Sequence, residues 1–125
     1  MSPTARSLKR LRDDGYSAVV VERFNWYTKT RHDAFGFDII AIHKDIQGVL
    51  GVQTTTGDNA AKRITKLLGI PEVEIWLQAG NRAVVHSWSK RGDRGSRKLW
   101  TCVERELTLE MFEDHHEHRY QMASN

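Results

Sequence analysis

The sequence predicts an α/β fold with a mixed central sheet and flanking helices. Three observations carry that reading. Short runs rich in Val, Ile, Thr and aromatic residues recur along the chain, bounded by Gly, Asp and Asn. Segments with helical periodicity and cap signals interrupt them at both ends and in the middle. The middle helix lies between the third and fourth strands, which calls for a parallel crossover within an otherwise hairpin-linked sheet. At 125 residues the chain has the length of one domain, taken here as 1–125. Its 39% hydrophobic content is enough for a single compact core.

The elements follow in order. Ser2 and Pro3 fit a helix start, because proline is preorganised for the first turn. Leu8 and Leu11 lie three apart, basic Arg6, Lys9, Arg10 and Arg12 surround them, and Asp13-Asp14-Gly15 ends the segment. Residues 16–24, centred on Val19, Val20 and Val21, read as one strand. Residues 25–36 read as a polar loop containing aromatics. Residues 37–43 and 49–55 read as a hairpin turning at Asp45-Ile46-Gln47-Gly48. Gly57-Asp58-Asn59 offers an N-cap for a helix over residues 60–68, with Ile64, Leu67 and Leu68 at core spacing. Gly69 and Pro71 stop it. Residues 73–78, 83–88 and 99–103 read as three more strands, with a glycine-rich basic loop at 90–98 before the last. Thr108 is placed as the cap of a final helix running to about His118. Trp76, Trp88 and Trp100 fall within strands and are expected in the core.

Several function classes drop out. No run of about 18 apolar residues is present, so no membrane span is expected. The first twelve residues are polar and basic without an apolar stretch, so they are not read as a signal peptide. Cys102 is the single cysteine, which excludes an internal disulfide and fits a reducing cytoplasm. It has no evident partner base, so a cysteine nucleophile is not expected. His115, His116 and His118 sit among acids near the C-terminus, but no second element supplies partners, and a solvated helix is the expected reading. Arg91-Gly92-Asp93 spells a cell-adhesion tripeptide by coincidence. Gly48 and Gly51 lack the Gly-Lys-Ser/Thr that a phosphate loop requires.

The hairpin carries the chemistry. A turn at 45–48 would set Asp38 opposite Thr55 and Ile40 opposite Gln53. Opposed residues share a face, as do residues two apart, so Asp38, Gln53 and Thr55 should project together from one side near a sheet end. Asp33 is a further acid nearby, and an Asx turn is its ordinary reading.

Asp38, within Arg31-His32-Asp33-Ala34-Phe35-Gly36-Phe37-Asp38, followed on the next strand by Gln53-Thr54-Thr55 and then a helix, resembles the PD-(D/E)XK nuclease superfamily. The likeness is greatest to its small Holliday-junction-resolvase-like and phage members, and the order of elements from Ser2 to about Trp88 resembles the family core. In that family an acid opens one hairpin strand and the next carries E-x-K. Asp38 matches the acid, Gln53-Thr54-Thr55 takes the E-x-K place, and Glu22 falls where an early glutamate occurs in many members. The resemblance implies a restriction-endonuclease-like core and a Mg²⁺-dependent endonuclease, with Mn²⁺ able to substitute. It implies a metal held by Asp38, Gln53 and the Thr54 carbonyl, with Glu22 assisting. It also implies a homodimer, as in resolvase-like members.

Two positions depart from the family pattern. Gln53 replaces the second carboxylate and Thr55 replaces the lysine. Glutamine still offers a hard carbonyl oxygen but no charge. Either a lysine from elsewhere, Lys29 or Lys62, supplies the cation, or the site is weakened and the fold only binds nucleic acid or protein.

Net charge is +3, and the sequence pI is about 9.2. The distribution matters more than the total. Lys90, Arg91, Arg94, Arg97 and Lys98 cluster in the glycine-containing loop, and Lys62 and Lys66 are i, i+4 on the middle helix. With Arg31, these are the expected contacts to a phosphate backbone. Trp26 and Tyr27, beside Lys29 and Arg31, could stack on bases, although core packing suits Trp26 equally. The expected partner is DNA, branched DNA included, with RNA as the weaker alternative; no segment reads as a recognition helix for the major groove.

Overall fold

The computed structural model describes residues 1–124; of the expected single domain over 1–125, Asn125 lies outside the described residues. In chain order the elements are α1 (Pro3–Asp13), β1 (Ser17–Val20), β2 (Arg23–Asn25), β3 (Thr30–His32), β4 (Ile39–His43) and β5 (Ile46–Thr56). They continue with α2 (Ala60–Leu68), α3 (Pro71–Gln78), β6 (Arg82–Arg91), β7 (Leu99–Glu106) and α4 (Leu109–Ser124). The main sheet has five strands in the order β1-β4-β5-β6-β7, and β2 and β3 form a separate two-stranded hairpin. All neighbours in the main sheet are antiparallel except β5 and β6, which run parallel. The chain is thus α/β with a mixed sheet, and a parallel crossover forms, leading to β6 and not to residues 73–78.

Two apolar layers hold the sheet, one on each face. On one side Leu11 of α1 meets Ile39, Ala41, Leu50, Val52 and Val84. On the other, α2, α3 and α4 contribute Ile64, Leu67, Val73 and Phe112 against Phe37, Ala83 and Val85. Alternation along β6 supplies both layers, Val84 to the first and Ala83 and Val85 to the second, because successive side chains point to opposite faces, whereas β4 and β5 supply the first. A buried polar chain ties α1 to the sheet. Trp88 Nε1 donates to Ser7 Oγ at 2.8 Å, and the same Oγ shares a hydrogen bond with His86 Nδ1 at 2.9 Å. His86 Nε2 then faces Glu104 at 2.9 Å. Ser7 is fully buried, so this Ser-His-Glu chain fastens a helix and offers no nucleophile.

The segment expected as a strand over residues 73–78 is the helix α3. The alternation of Val73, Ile75 and Leu77 imitates a strand, but Pro71 occupies the first helical turn and Glu72 and Glu74 suit its N-terminal end. Trp76 therefore sits on a helix, where its Nε1 donates to the Arg82 carbonyl at 2.7 Å. The single strand expected over 16–24 is broken. Val21 N and Glu22 N both donate to the Asp38 carbonyl, β1 stops at Val20, and the chain turns out into β2. The loop expected over 25–36 contains β3, which pairs with β2.

The hairpin register differs by two residues from expectation. Ile39 opposes Val52 and Ile40 opposes Gly51, because the chain turns at Lys44 and Asp45 with an irregularity between Ala41 and His43. A shift of two preserves the faces, whereas a shift of one would have inverted them. Strand β6 runs on to Arg91, so Lys90 and Arg91 lie on a strand and not in the loop. Trp100 is 42% exposed and not in the core; the Arg6 guanidinium lies 4.0 Å from its ring centroid. The last helix runs six residues beyond His118, to Ser124. Among the described residues no helix is long and apolar enough to cross a membrane.

Candidate functional site

Gly51 sets the site's floor. The Phe37 ring lies 2.6 Å from where a Cβ on Gly51 would stand, so only glycine lets the ring cross β5. Phe37 is fully buried in the α2 and α3 layer, and this anchors the residue that follows it, Asp38. Beyond the end of β4, Asp38 faces the end of β5, where its N–H still donates to the Val52 carbonyl at 2.8 Å.

One oxygen of Asp38 receives three donors. Gln53 Nε2 donates to Oδ2 at 2.7 Å, Thr54 N at 2.8 Å and Thr54 Oγ1 at 3.1 Å. The Thr54 hydroxyl has one proton, spent on Asp38, so the Thr4 hydroxyl donates to it in turn at 2.9 Å. The N-terminus of α1 is thereby tied into the site. The donor at Asp38 must be the Gln53 nitrogen, which leaves Gln53 Oε1 buried without a hydrogen-bond partner. Burial pushes the Asp38 carboxyl above its ordinary value; the Thr54 N–H opposes this, the Glu22 charge adds to it, and the Thr54 hydroxyl and Gln53 amide oppose it further. Burial thus works against the charge of Asp38, while its hydrogen-bond donors support it.

Around this pair lies a polar cleft of about 800 Å³. Glu22, Asp33, Asp38, Gln53, Thr54 and Thr55 line it, as do Asn59, Arg63 and Lys66 at α2 and Arg31 from β3. Arg31 donates to Glu22 at 2.7 Å. Asp33 accepts from Gly36 N, three residues on, at 3.0 Å, one residue farther than the Asx turn expected of it. Asn59 caps α2 by position without a side-chain bond to the helix, its Nδ2 donating instead to the Thr56 carbonyl. The first amides of α2 therefore lack a side-chain acceptor from their cap residue.

The fold thus gathers Asp38, Gln53, Glu22, Thr54, Thr55, Arg31 and Lys66 into one cleft. Neither Lys29 nor Lys62 lines it: Lys29 lies in the β2–β3 turn with φ of 58°, and Lys62 is exposed on α2. Lys90, Arg91, Arg94, Arg97 and Lys98 are exposed on and beyond the end of β6. Sequence reasoning missed Arg63. The available signal was its spacing, since Arg63 and Lys66 are i, i+3 on α2 and share a face. Among the described residues no three His, Cys, Asp or Glu side chains converge as a metal-binding group; the Asp38 site combines one carboxylate with neutral oxygens. Burial pushes the Cys102 thiol up to about 11, against the pull of Arg10, so it is not a nucleophile near neutral pH. The chain matches no family model and no curated protein.

Proposed function

We propose that the protein is a Mg²⁺-dependent endonuclease of PD-(D/E)XK type that acts on DNA. The observation that carries this is the pairing, in one cleft, of the buried Asp38–Gln53 couple having an unpartnered Gln53 Oε1 with three cationic side chains, Arg31, Arg63 and Lys66. A phosphodiester needs both halves: oxygen ligands for a hard cation and positive charge for the phosphate backbone.

The residues fit such a cation. The Asp38 carboxylate, Gln53 Oε1 and the Thr54 carbonyl are all oxygen donors, and the Thr54 carbonyl lies on the β4 side of β5, as its N–H does. When bound, Mg²⁺ would neutralise charge on the scissile phosphate and make a water nucleophilic. The chain's own side chains do the rest. Thr54 and Gln53 orient the Asp38 carboxylate. Arg63 and Lys66, together with the α2 N-terminus, draw the phosphate to the end of β5. They take the place of the motif lysine that Thr55 lacks. Arg31, held by Glu22, lines the opposite wall.

The strongest support for the alternative, a binding module with an inactive site, is that Asp38 Oδ2 is already saturated by three protein donors. Cleavage separates the two. Wild type incubated with Mg²⁺ or Mn²⁺ should cut a four-way junction, a flap or a plain duplex, with branched DNA preferred, and Asp38→Asn should cut none. Wild type that binds these substrates and cuts none of them is the binding module. The reading also carries a homodimer, seated on the apolar β1–β4 face where Val19 and Ile42 are exposed; sedimentation velocity tests it.

A further inference from the structure

We propose that the β2–β3 hairpin is a base-stacking arm, with Trp26 and Tyr27 at its tip taking unpaired bases of a DNA strand whose backbone lies in the Asp38 cleft. This rests on the nucleic-acid reading above and names the part of the substrate that the cleft does not touch.

The hairpin stands apart from the main sheet, its two strands pairing only with each other. Its tip is apolar where solvent would select against it. Trp26 is 75% exposed and Tyr27 fully exposed. Phe24 props Trp26 edge-on, with ring centroids 4.7 Å apart and planes at 80°, so the ring is braced at an angle and a broad apolar face remains open. The turn is preorganised. Asn25 Oδ1 accepts from Tyr27 N at 2.9 Å and from Thr28 N at 3.3 Å, and Lys29 adopts the left-handed φ that closes the loop. From the turn into the returning strand, Thr28, Thr30 and His32 form a hydrogen-bonded file, 2.6 Å and 3.0 Å apart. Aromatics displayed on a rigid turn lose little freedom when they stack.

Charge selects the partner. Arg23, Lys29 and Arg31 flank the aromatics, and no acid lies between Arg23 and His32. An aromatic pair on an arm that also carries Arg23, Lys29 and, paired with Glu22 at its root, Arg31 suits a base with its phosphate, since every base has a π-face and every nucleotide a negative charge. The root of the arm is part of the cleft wall, through Glu22, Arg31 and Asp33. From Glu22 to Trp26 is four residues of extended chain, roughly 13 Å at about 3.3 Å per residue. A strand bound in the cleft and leaving along β3 would meet the tip only if its bases were unpaired, because bases in a duplex stack on each other and present no face to Trp26.

The test uses the full chain without Mg²⁺, so that nothing is cleaved, and measures binding to three oligonucleotides at fixed salt. One is a thymine single strand, one an abasic strand of equal length and charge, and one a duplex. Wild type should favour the thymine strand over the abasic strand by about tenfold or more. The double substitution Trp26→Ala/Tyr27→Ala, at exposed positions that leave the core untouched, should bring the two to similar affinity while leaving the abasic strand unchanged. Trp26→Phe should retain part of the preference. The inference is overturned if the double variant keeps the preference, or if it weakens both strands equally, which would make the arm a source of charge or structure. It is overturned too if the variant turns a dimer into a monomer with the base preference intact, since the tip then contacts a second copy. Wild type that binds both strands equally removes this inference alone. Wild type that binds none of the three removes the nucleic-acid reading and the inference with it.

Discussion

The Gln53 amide donates a 2.7 Å hydrogen bond to the Asp38 carboxylate, while its own carbonyl oxygen is buried and accepts nothing. An unpaired buried acceptor costs about 1–3 kcal/mol. Beside it stands a carboxylate whose burial opposes its charge. Both lie in the cleft that Arg31, Arg63 and Lys66 also line, and the cation proposed above would answer both once the Gln53 amide turned its oxygen toward it.

Gln53→Glu tests that relationship. The substitution introduces a second acid, as in the PD-(D/E)XK pattern that the proposal invokes, but it removes the donor to Asp38 and sets two carboxylates side by side. In chelator the variant should lose stability by about 1–3 kcal/mol. Added Mg²⁺ should recover the loss by mass action, and more steeply than in wild type. Thermal melts with and without Mg²⁺ read this directly, and a variant whose melting ignores Mg²⁺ would contradict a cation at this position.

Much of this arrangement was legible in the sequence, because it depends on alternation. Gln53 and Thr55 share a side through the two-residue period of β5, and an error of two in the register left Asp38, just before β4, beside the end of β5. The register itself was not legible. It depends on a turn at Lys44 and Asp45 and on an irregularity between Ala41 and His43, neither of which has a distinctive residue signature. Helix α3 was missed because Val73, Ile75 and Leu77 alternate like a strand, and Pro71 was read as a stop when it was also a start. Arg63 was overlooked for Lys62. Only the packing of Ile64 and Leu67 against the sheet decides which of the two cations turns toward the cleft.

The cations on α2 can be separated by salt. Removing Arg63 or Lys66 should weaken duplex binding and flatten its dependence on log salt by about 0.9 per lost phosphate contact. Lys62→Ala should leave both unchanged. Neutralising Arg94, Arg97 and Lys98 together tests whether the exposed loop after β6 extends the same track, and a further drop in slope is expected. Affinities measured across a salt series give the slopes. A Lys62 effect without an Arg63 effect would route the backbone outside the cleft.

Acid stability should follow Glu104. The His86 hydrogen bond, above all, holds the Glu104 carboxyl below its ordinary value of 4.5; burial opposes this, and the His86, Arg10 and Arg82 charges assist. A folded-state value below the unfolded one means that the ionised form is the one the fold favours. The contribution is therefore complete above 4.5 and is lost as pH falls through the lowered folded value. Glu104→Gln should melt lower than wild type above that pH, and the two should converge below it. A gap that stays constant across the range would assign the loss to packing alone.

The most direct measurement is a crystal of the wild-type chain grown with Mn²⁺, with anomalous scattering used to locate the metal. The account predicts a single strong peak among the Asp38 carboxylate, Gln53 Oε1 and the Thr54 carbonyl, and none in an Asp38→Asn crystal grown in parallel. A peak elsewhere, or an Asp38–Gln53 hydrogen bond that persists in saturating Mn²⁺ with no peak beside it, would contradict the account.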